Sequence, residues 1–159
     1  ASFGHGITTT LLQLAKAYSI IANGGYNVQP KLIKETKKIK KKKILDQKVS
    51  KKILPILRKI VTTKEGTASL ANVPGYEIGG KTGTAQKSIS GIYTKKKINS
   101  FISVFPISKP KFVLAVMLDE PKLNENYVYH YRDGSNIKYK GTPYNTSGWT
   151  TVEVTGQII

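Results

Sequence analysis

The stretch Val73-Pro74-Gly75-Tyr76-Glu77-Ile78-Gly79-Gly80-Lys81-Thr82-Gly83-Thr84-Ala85-Gln86 holds the densest chemistry of this chain. Its Pro-Gly pair predicts a turn, and the residues that follow predict a short strand with side chains alternating between two faces. Lys81 and Gly83 then share one face, and Thr82 and Thr84 share the other. A cation, two hydroxyls and an unobstructed backbone suit the binding of a carboxylate and an oxyanion. Because Gly83 has no Cβ, a substrate could lie against the strand as an added strand.

Further motifs surround this strand in a fixed order. They are Ser2-Phe3-Gly4-His5-Gly6-Ile7, Leu12-Gln13-Leu14-Ala15, Ala17-Tyr18, Ala22-Asn23-Gly24-Gly25, Gly66-Thr67-Ala68, Ser100-Phe101, Phe105-Pro106, Val116-Met117-Leu118-Asp119-Glu120-Pro121 and Gly148-Trp149. With the Lys-Thr-Gly box at Lys81, this order resembles the transpeptidase domain of class B penicillin-binding proteins, of the septal cell-division type. The lysine-rich stretch near 34–48 and the tyrosine-rich stretch near 122–145 match that family poorly.

The resemblance implies a fold and a set of site residues. The fold is α+β, a five-stranded antiparallel sheet covered by helices, as in serine β-lactamases, with the Lys-Thr-Gly strand lining the cleft. Lys81 would supply the electrostatics of the site, and the hydroxyls of Thr82 and Thr84 would bind the terminal carboxylate of a D-alanyl-D-alanine stem peptide or of a β-lactam. The backbone N–H of Thr84 would donate to the oxyanion, and Gly83 and Gln86 would complete the substrate-binding strand.

The resemblance also implies a reaction: peptidoglycan D,D-transpeptidation through an acyl-serine intermediate, without metal or cofactor. The family's Ser-x-x-Lys and Ser-x-Asn motifs lie upstream of this region. Ser108-Lys109-Pro110-Lys111 matches the first in letters, but Pro110 predicts a turn rather than the helix on which the motif works. We therefore expect residues 1–159 to be the C-terminal portion of one transpeptidase domain, inactive alone. A D,D-carboxypeptidase, a serine β-lactamase and a non-enzymatic β-lactam sensor remain alternatives.

The implied setting is the periplasmic face of a bacterial inner membrane. An N-terminal helix outside this sequence would anchor the protein, and glycan-polymerising and divisome proteins would be its partners. The sequence has no cysteine, which excludes thiolate chemistry, disulfides and zinc-thiolate sites.

The chain carries a formal charge of +17 from 26 basic and 9 acidic residues. Much of this charge lies in the run Lys34 to Lys43, which could contact nucleic acid, anionic lipid or an anionic wall polymer. We favour a solvated hairpin or loop, because the run has no aromatic residue and the chain has few arginines. No nucleic-acid partner is expected.

Periodicity predicts the remaining elements. Thr10 and Gln13 predict a capping box for a buried helix that Gly24-Gly25 ends. A second helix is predicted near Ser50 to Thr63, and an amphipathic helix from near Ser147. Strands are predicted at 77–86, 98–107 and 111–119, the last two joined by a tight turn. The apolar stripe of the second helix is predicted to comprise Ile53, Leu54, Ile56, Leu57, Ile60 and Val61.

Other polar residues give weaker signals. His5 and His130 lack ligand-spaced carboxylates, so we expect no metal site. Asp119-Glu120-Pro121 indicates a charged strand end stopped by proline rather than an acid pair. The tyrosines of the 122–145 stretch indicate a β-hairpin insertion, with a partner-binding or glycan-stacking surface as the alternative. Trp149 is expected to pack the C-terminal helix against the sheet.

Overall fold

Helices precede and follow an antiparallel sheet in the computed structural model, which describes residues 7–33 and 42–159. The elements are α1 (Leu11–Ala22), α2 (Gln47–Thr62), β1 (Gly79–Ile89), β2 (Ile92–Phe105), β3 (Phe112–Asp119), β4 (Val128–His130), β5 (Lys138–Lys140) and α3 (Thr151–Ile158). Two 3-10 turns lie at Ser69–Ala71 and Ser147–Trp149. This arrangement confirms the α+β prediction.

The main sheet has the order β1-β2-β3, with both pairs antiparallel. It holds three strands within the described residues, where five were expected. The first two strands are longer than predicted: β1 continues to Ile89 and β2 begins at Ile92. Ser90 and Gly91 both have positive φ (51° and 80°), the geometry that a two-residue hairpin turn requires, so the strands pair up to that turn. The predicted hairpin of β2 and β3 is confirmed, but its connection spans residues 106–111 and is longer than the predicted tight turn.

Helix α1 begins as predicted. The Thr10 side chain accepts from the Gln13 backbone N–H and the Gln13 side chain accepts from the Thr10 backbone N–H, at 3.1 and 2.8 Å. Gly24 and Gly25 follow the helix with φ of 68° and 91°. The expectation of a buried helix is wrong, because no α1 residue is fully buried. The helix packs beside β2 and β3 on one side, so its apolar stripe is only partly covered.

Thr10→Ala is expected to lower the free energy of unfolding by about 1 kcal/mol, because the first turn loses its side-chain acceptor. Urea denaturation would measure the change. Thr9→Ala, which removes a neighbouring hydroxyl that caps no helical N–H, is the control and should have a smaller effect. Equal effects of the two substitutions would contradict the capping role.

Helix α2 begins three residues earlier than predicted. Asp46 is its N-cap and accepts from the Lys48 N–H at 2.8 Å, which fixes the start at Gln47. Leu57 and Val61 are buried, but Ile56 is 57% exposed, so its place in the predicted apolar stripe is wrong. Ile56 precedes Leu57 by one position, a rotation of about 100° around the helix that turns it from the core.

The core lies between the sheet, α2, α3 and the Ser69–Ala71 turn. Its buried members are Val61, Ala68, Leu70, Ala71, Ile78, Phe101, Tyr129 and Val152. Phe101 lies directly opposite Thr82 in the β1-β2 register, so the two side chains emerge on the same face of the sheet. The core therefore supports the strand that carries the Lys-Thr-Gly box.

The 122–145 stretch contains the predicted β-hairpin, since β4 and β5 pair antiparallel with Tyr129 opposite Tyr139. Trp149 packs, as expected, against the core cluster to which Phe101 of β2 and Val152 of α3 belong. Its ring lies 5.0 Å from that of Tyr129 and 5.1 Å from that of Tyr139, because the hairpin folds over the Ser147–Trp149 turn.

Several sequence features lie outside the described residues, namely the Ser2–Ile7 motif up to residue 6, with His5, and most of the lysine run, Lys34 to Lys41. Tyr26, before this run, and Lys43, its last residue, form an isolated antiparallel bridge. Across residues 7–33 and 42–159, no helix has the length and apolar character that crossing a membrane requires.

Candidate active site

A groove of about 480 Å³ lies over the face of β1 that carries Thr82 and Thr84. Residues from four parts of the chain line it: Lys64, Gly66, Thr67, Ser69, Leu70, Thr82, Thr84, Tyr131, Thr146, Gly148 and Trp149. The predicted alternation is therefore observed, with both threonines facing the groove. Many of the lining side chains are hydroxyls, which suit an anionic ligand.

Thr82 meets Thr67, a residue from the segment after α2. Their Oγ1 atoms are 3.0 Å apart, a distance at which either hydroxyl can donate. Because both residues line the groove, this pair presents two adjacent hydroxyls to it.

Thr84 meets Ser147, at the start of the second 3-10 turn. The Ser147 backbone N–H donates to Thr84 Oγ1 at 3.0 Å, and the two hydroxyl oxygens are also 3.0 Å apart. The Ser147 hydroxyl also donates to the Gly83 carbonyl. Ser147 is 1% exposed, so these bonds hold the C-terminal segment against β1.

Alternate residues of β1 direct their backbone N–H and C=O groups toward the open edge of the sheet. Glu120 N–H donates to the Lys97 carbonyl and Lys111 N–H to the Phe105 carbonyl, so odd-numbered residues of this part of β2 direct their backbone groups toward β3. Thr84 is opposite Asn99. The N–H and C=O of Thr84 therefore point away from β2, toward the edge of the sheet, where a ligand can reach them.

Lys81, Gly83 and Gln86 do not line the groove. The exposed Lys81 donates from Nζ to the carbonyl of Thr82 at 2.8 Å. A Cβ on Gly83 would come within 2.7 Å of Ser100 Oγ, so the missing side chain makes room for that cross-strand neighbour. Gln86 is exposed and lies at a register shift of the hairpin. The two threonines are thus brought together, while these three residues lie around them.

Tyr131 also lines the groove, and the next residue, Arg132, is held by several hydrogen bonds. Arg132 donates from both terminal nitrogens to Glu153 at 2.9 Å and from Nη1 to the Leu70 carbonyl at 2.9 Å. The hydrogen bond to the Glu153 carboxylate raises the pKa of the Arg132 guanidinium above its usual range. Burial raises the pKa of the Tyr127 hydroxyl, which also donates to Glu153.

Sequence reasoning did not assign Thr67, Ser147 or Tyr131 to the site. Gly66-Thr67-Ala68 and Gly148-Trp149 are family patterns that do not by themselves indicate a position beside β1, and a tyrosine in an insertion carries no signal of its position. Their proximity to β1 depends on tertiary packing across 15 residues for Thr67 and 63 for Ser147.

The remaining sequence candidates lie elsewhere. Lys87 bonds both Asp119 and Glu120, and Lys96 bonds Glu120, so the acidic pair is a charged strand end, as predicted. The Ser-x-x-Lys match at Ser108 lies in the β2-β3 connection and is not helical. Within the described residues, no group of three or more potential metal ligands occurs.

Comparison with known proteins identifies the family. Residues 1–136 match the family described as "Penicillin binding protein transpeptidase domain". The chain belongs to this family. Its mixed helix and antiparallel sheet architecture is that of penicillin-binding transpeptidase domains, and its TM-score against the apo TP domain of Burkholderia pseudomallei penicillin-binding protein 3 is 0.71. That match has 27% identity and covers 99% of this chain and 44% of the other.

Curated relatives of this penicillin-binding transpeptidase chain agree. It is 35% identical over 127 residues to the probable peptidoglycan D,D-transpeptidase PenA of Neisseria flavescens, covering 79% of this chain and 32% of that protein. It is 40% identical over 134 residues to stage V sporulation protein D of Bacillus subtilis (strain 168), covering 76% of this chain and 20% of that protein. The chain thus spans a third or less of the length of these relatives.

Proposed function

We propose that residues 1–159 form the C-terminal portion of a transpeptidase domain that cross-links peptidoglycan stem peptides. The observation that carries this proposal is the groove beside β1. It combines the hydroxyls of Thr82 and Thr84 with a Thr84 backbone N–H at the sheet edge. Family membership and relatives named as D,D-transpeptidases support this reaction over hydrolysis.

In the proposed reaction, a serine oxygen attacks the carbonyl carbon of the D-alanyl-D-alanine bond. The acyl-serine bond forms, and terminal D-alanine leaves with a proton. The carbonyl then passes to an amine of a second stem peptide, which frees the serine. The serine belongs to a Ser-x-x-Lys motif that this stretch does not supply in helical form.

The residues of this chain would bind and stabilise rather than attack. Thr82 would hold the terminal carboxylate of the stem peptide, and the Thr84 N–H would donate to the oxyanion formed at the attacked carbonyl. Loss of one such donor typically costs about 3 kcal/mol in the transition state. Lys81, at the edge beside Thr82, would add positive potential for the carboxylate. Gly83 and Gln86 would border the bound peptide, and a β-lactam would occupy the same place.

The proposed setting is septal wall synthesis at the periplasmic face of the inner membrane. The anchor would be an N-terminal helix, and the partners would be glycan-polymerising and divisome membrane proteins. Each of these rests on family membership and on relatives with names such as peptidoglycan D,D-transpeptidase FtsI.

The test is acylation of the complete protein by a fluorescent penicillin. Thr82→Val and Lys81→Ala are each expected to lower the second-order acylation rate by about 10- to 100-fold, because each removes a hydrogen bond or charge that meets a carboxylate. The fold should be unchanged, since both residues are at least partly exposed.

Matched controls come from the far part of the β1-β2 hairpin. Thr94→Val and Lys95→Ala remove the same groups from β2, away from the groove, and should leave the rate within about twofold of the parent. Parent-like acylation in both site variants would refute the proposed roles.

A further inference from the structure

The groove hydroxyls differ in how many partners they already have within the protein. A threonine or serine hydroxyl carries one proton and can accept through its lone pairs. In the Thr84 pair, the Ser147 hydroxyl donates to the Gly83 carbonyl, and either hydroxyl can donate across the 3.0 Å contact between the two side-chain oxygens. The Thr84 oxygen also accepts from the Ser147 N–H, so Ser147 contacts this hydroxyl through two of its groups.

Thr82 has fewer partners. Its side chain has one bond, to Thr67 Oγ1 at 3.0 Å, in which either group can donate. If Thr82 donates, only its lone pairs face the ligand, and these repel a carboxylate. If Thr67 donates, the Thr82 proton is free for the groove.

We propose that Thr67 is a positioning residue for carboxylate recognition. Its hydroxyl donates to Thr82 Oγ1, so that Thr82 donates its own proton to the substrate carboxylate. The resulting chain runs from Thr67 to Thr82 to the anion, and each bond polarises the next. This inference rests on the proposed function. The two threonines of β1 then have different roles: the Thr82 hydroxyl binds the carboxylate, and Thr84 contributes its backbone N–H.

The backbone around Thr67 is fixed from two sides, which such a role requires. Ala68 N–H donates to the Ile60 carbonyl at 3.1 Å, and a Cβ on Gly66 would come within 2.2 Å of that same oxygen. On the other side, a Cβ on Gly148 would lie 2.8 Å from the Thr67 carbonyl. The segment is therefore held between the end of α2 and the Ser147–Trp149 turn, with Thr67 Oγ1 aimed at Thr82.

The experiment compares Thr67→Val and Thr67→Ser in the complete protein. The readout is the second-order acylation rate with a penicillin and with its methyl ester, which has no anionic carboxylate. Thr67→Val is expected to lower the rate with the free acid by about five- to tenfold and to leave the ester rate unchanged, as for loss of one hydrogen bond. Thr67→Ser keeps the hydroxyl and should restore the free-acid rate to within about twofold.

Two comparisons complete the design. Thr67→Val added to Thr82→Val should cause no further loss, because the two residues act as one unit. Thr63→Val, whose hydroxyl donates to the Lys59 carbonyl of its own helix, is the matched control and should match the parent.

The outcomes separate the two proposals. A normal free-acid rate in Thr67→Val, beside a strong defect in Thr82→Val, would overturn the role of Thr67 and leave the proposed function standing. An equal loss for acid and ester, or no restoration by Thr67→Ser, would show a purely structural role and also overturn it. Parent-like rates in Thr82→Val would overturn the role of Thr67, and parent-like rates in Lys81→Ala as well would overturn the site roles of the proposed function.

Discussion

Glu153→Ala is expected to lower the free energy of unfolding by about 3–5 kcal/mol, because it leaves the Arg132 guanidinium without its counter-charge. The Glu153 side chain is 6% exposed and that of Arg132 20%. Glu153 accepts two hydrogen bonds from Arg132, one from Tyr127 and one from Gln157, so its removal leaves several donors without an acceptor. Urea denaturation followed by far-UV circular dichroism would measure the loss.

Two further variants test whether the unpaired charge of Arg132 causes that loss of stability. Glu125→Ala removes an exposed carboxylate from the segment before β4 and should change the free energy of unfolding by about 0.5 kcal/mol or less. Arg132→Leu combined with Glu153→Leu should cost less than Glu153→Ala alone, since no unpaired charge remains. A loss below about 1 kcal/mol in Glu153→Ala would mean that water already solvates Arg132.

The local parts of the fold could be predicted from sequence because their signals lie within a few residues. The α1 start needs only Thr10 and Gln13, three positions apart, and its end needs only the glycines after Asn23. The alternation of β1 placed Thr82 and Thr84 on one face for the same reason. Turn residues likewise marked the β2-β3 connection.

The errors have a different origin, since they concern what covers an element rather than which element forms. The periodicity of α1 shows an apolar stripe but not how much of it the sheet covers, and no α1 residue is fully buried. The partners of the site threonines, Thr67 and Ser147, are set by packing between distant segments. The residue types identify a hydroxyl-rich strand, but only the folded chain determines which hydroxyls pair with one another.

Phe101→Ala is expected to lower the free energy of unfolding by about 3–5 kcal/mol, the usual cost of removing a fully buried phenylalanine. Phe101 is 0% exposed and lies opposite Thr82, and a Cβ on Gly80 would come within 2.6 Å of its ring. The ring thus packs beside the Lys-Thr-Gly strand on the face of the sheet that carries Thr82, and the cavity left by its loss adjoins the site. Penicillin acylation should therefore fall as well.

Phe112→Ala is the matched control for this substitution. Phe112 lies on β3, is 58% exposed and has its ring 5.4 Å from that of Phe105, so its loss should cost about 1 kcal/mol or less. Urea denaturation would compare the stability of the two variants. Acylation would be measured without urea, at a temperature at which both variants remain folded. Similar losses of stability in both would contradict the placement of Phe101 in the core. A folded Phe101→Ala protein that acylates at the parent rate would show that the strand keeps its geometry without the neighbouring ring.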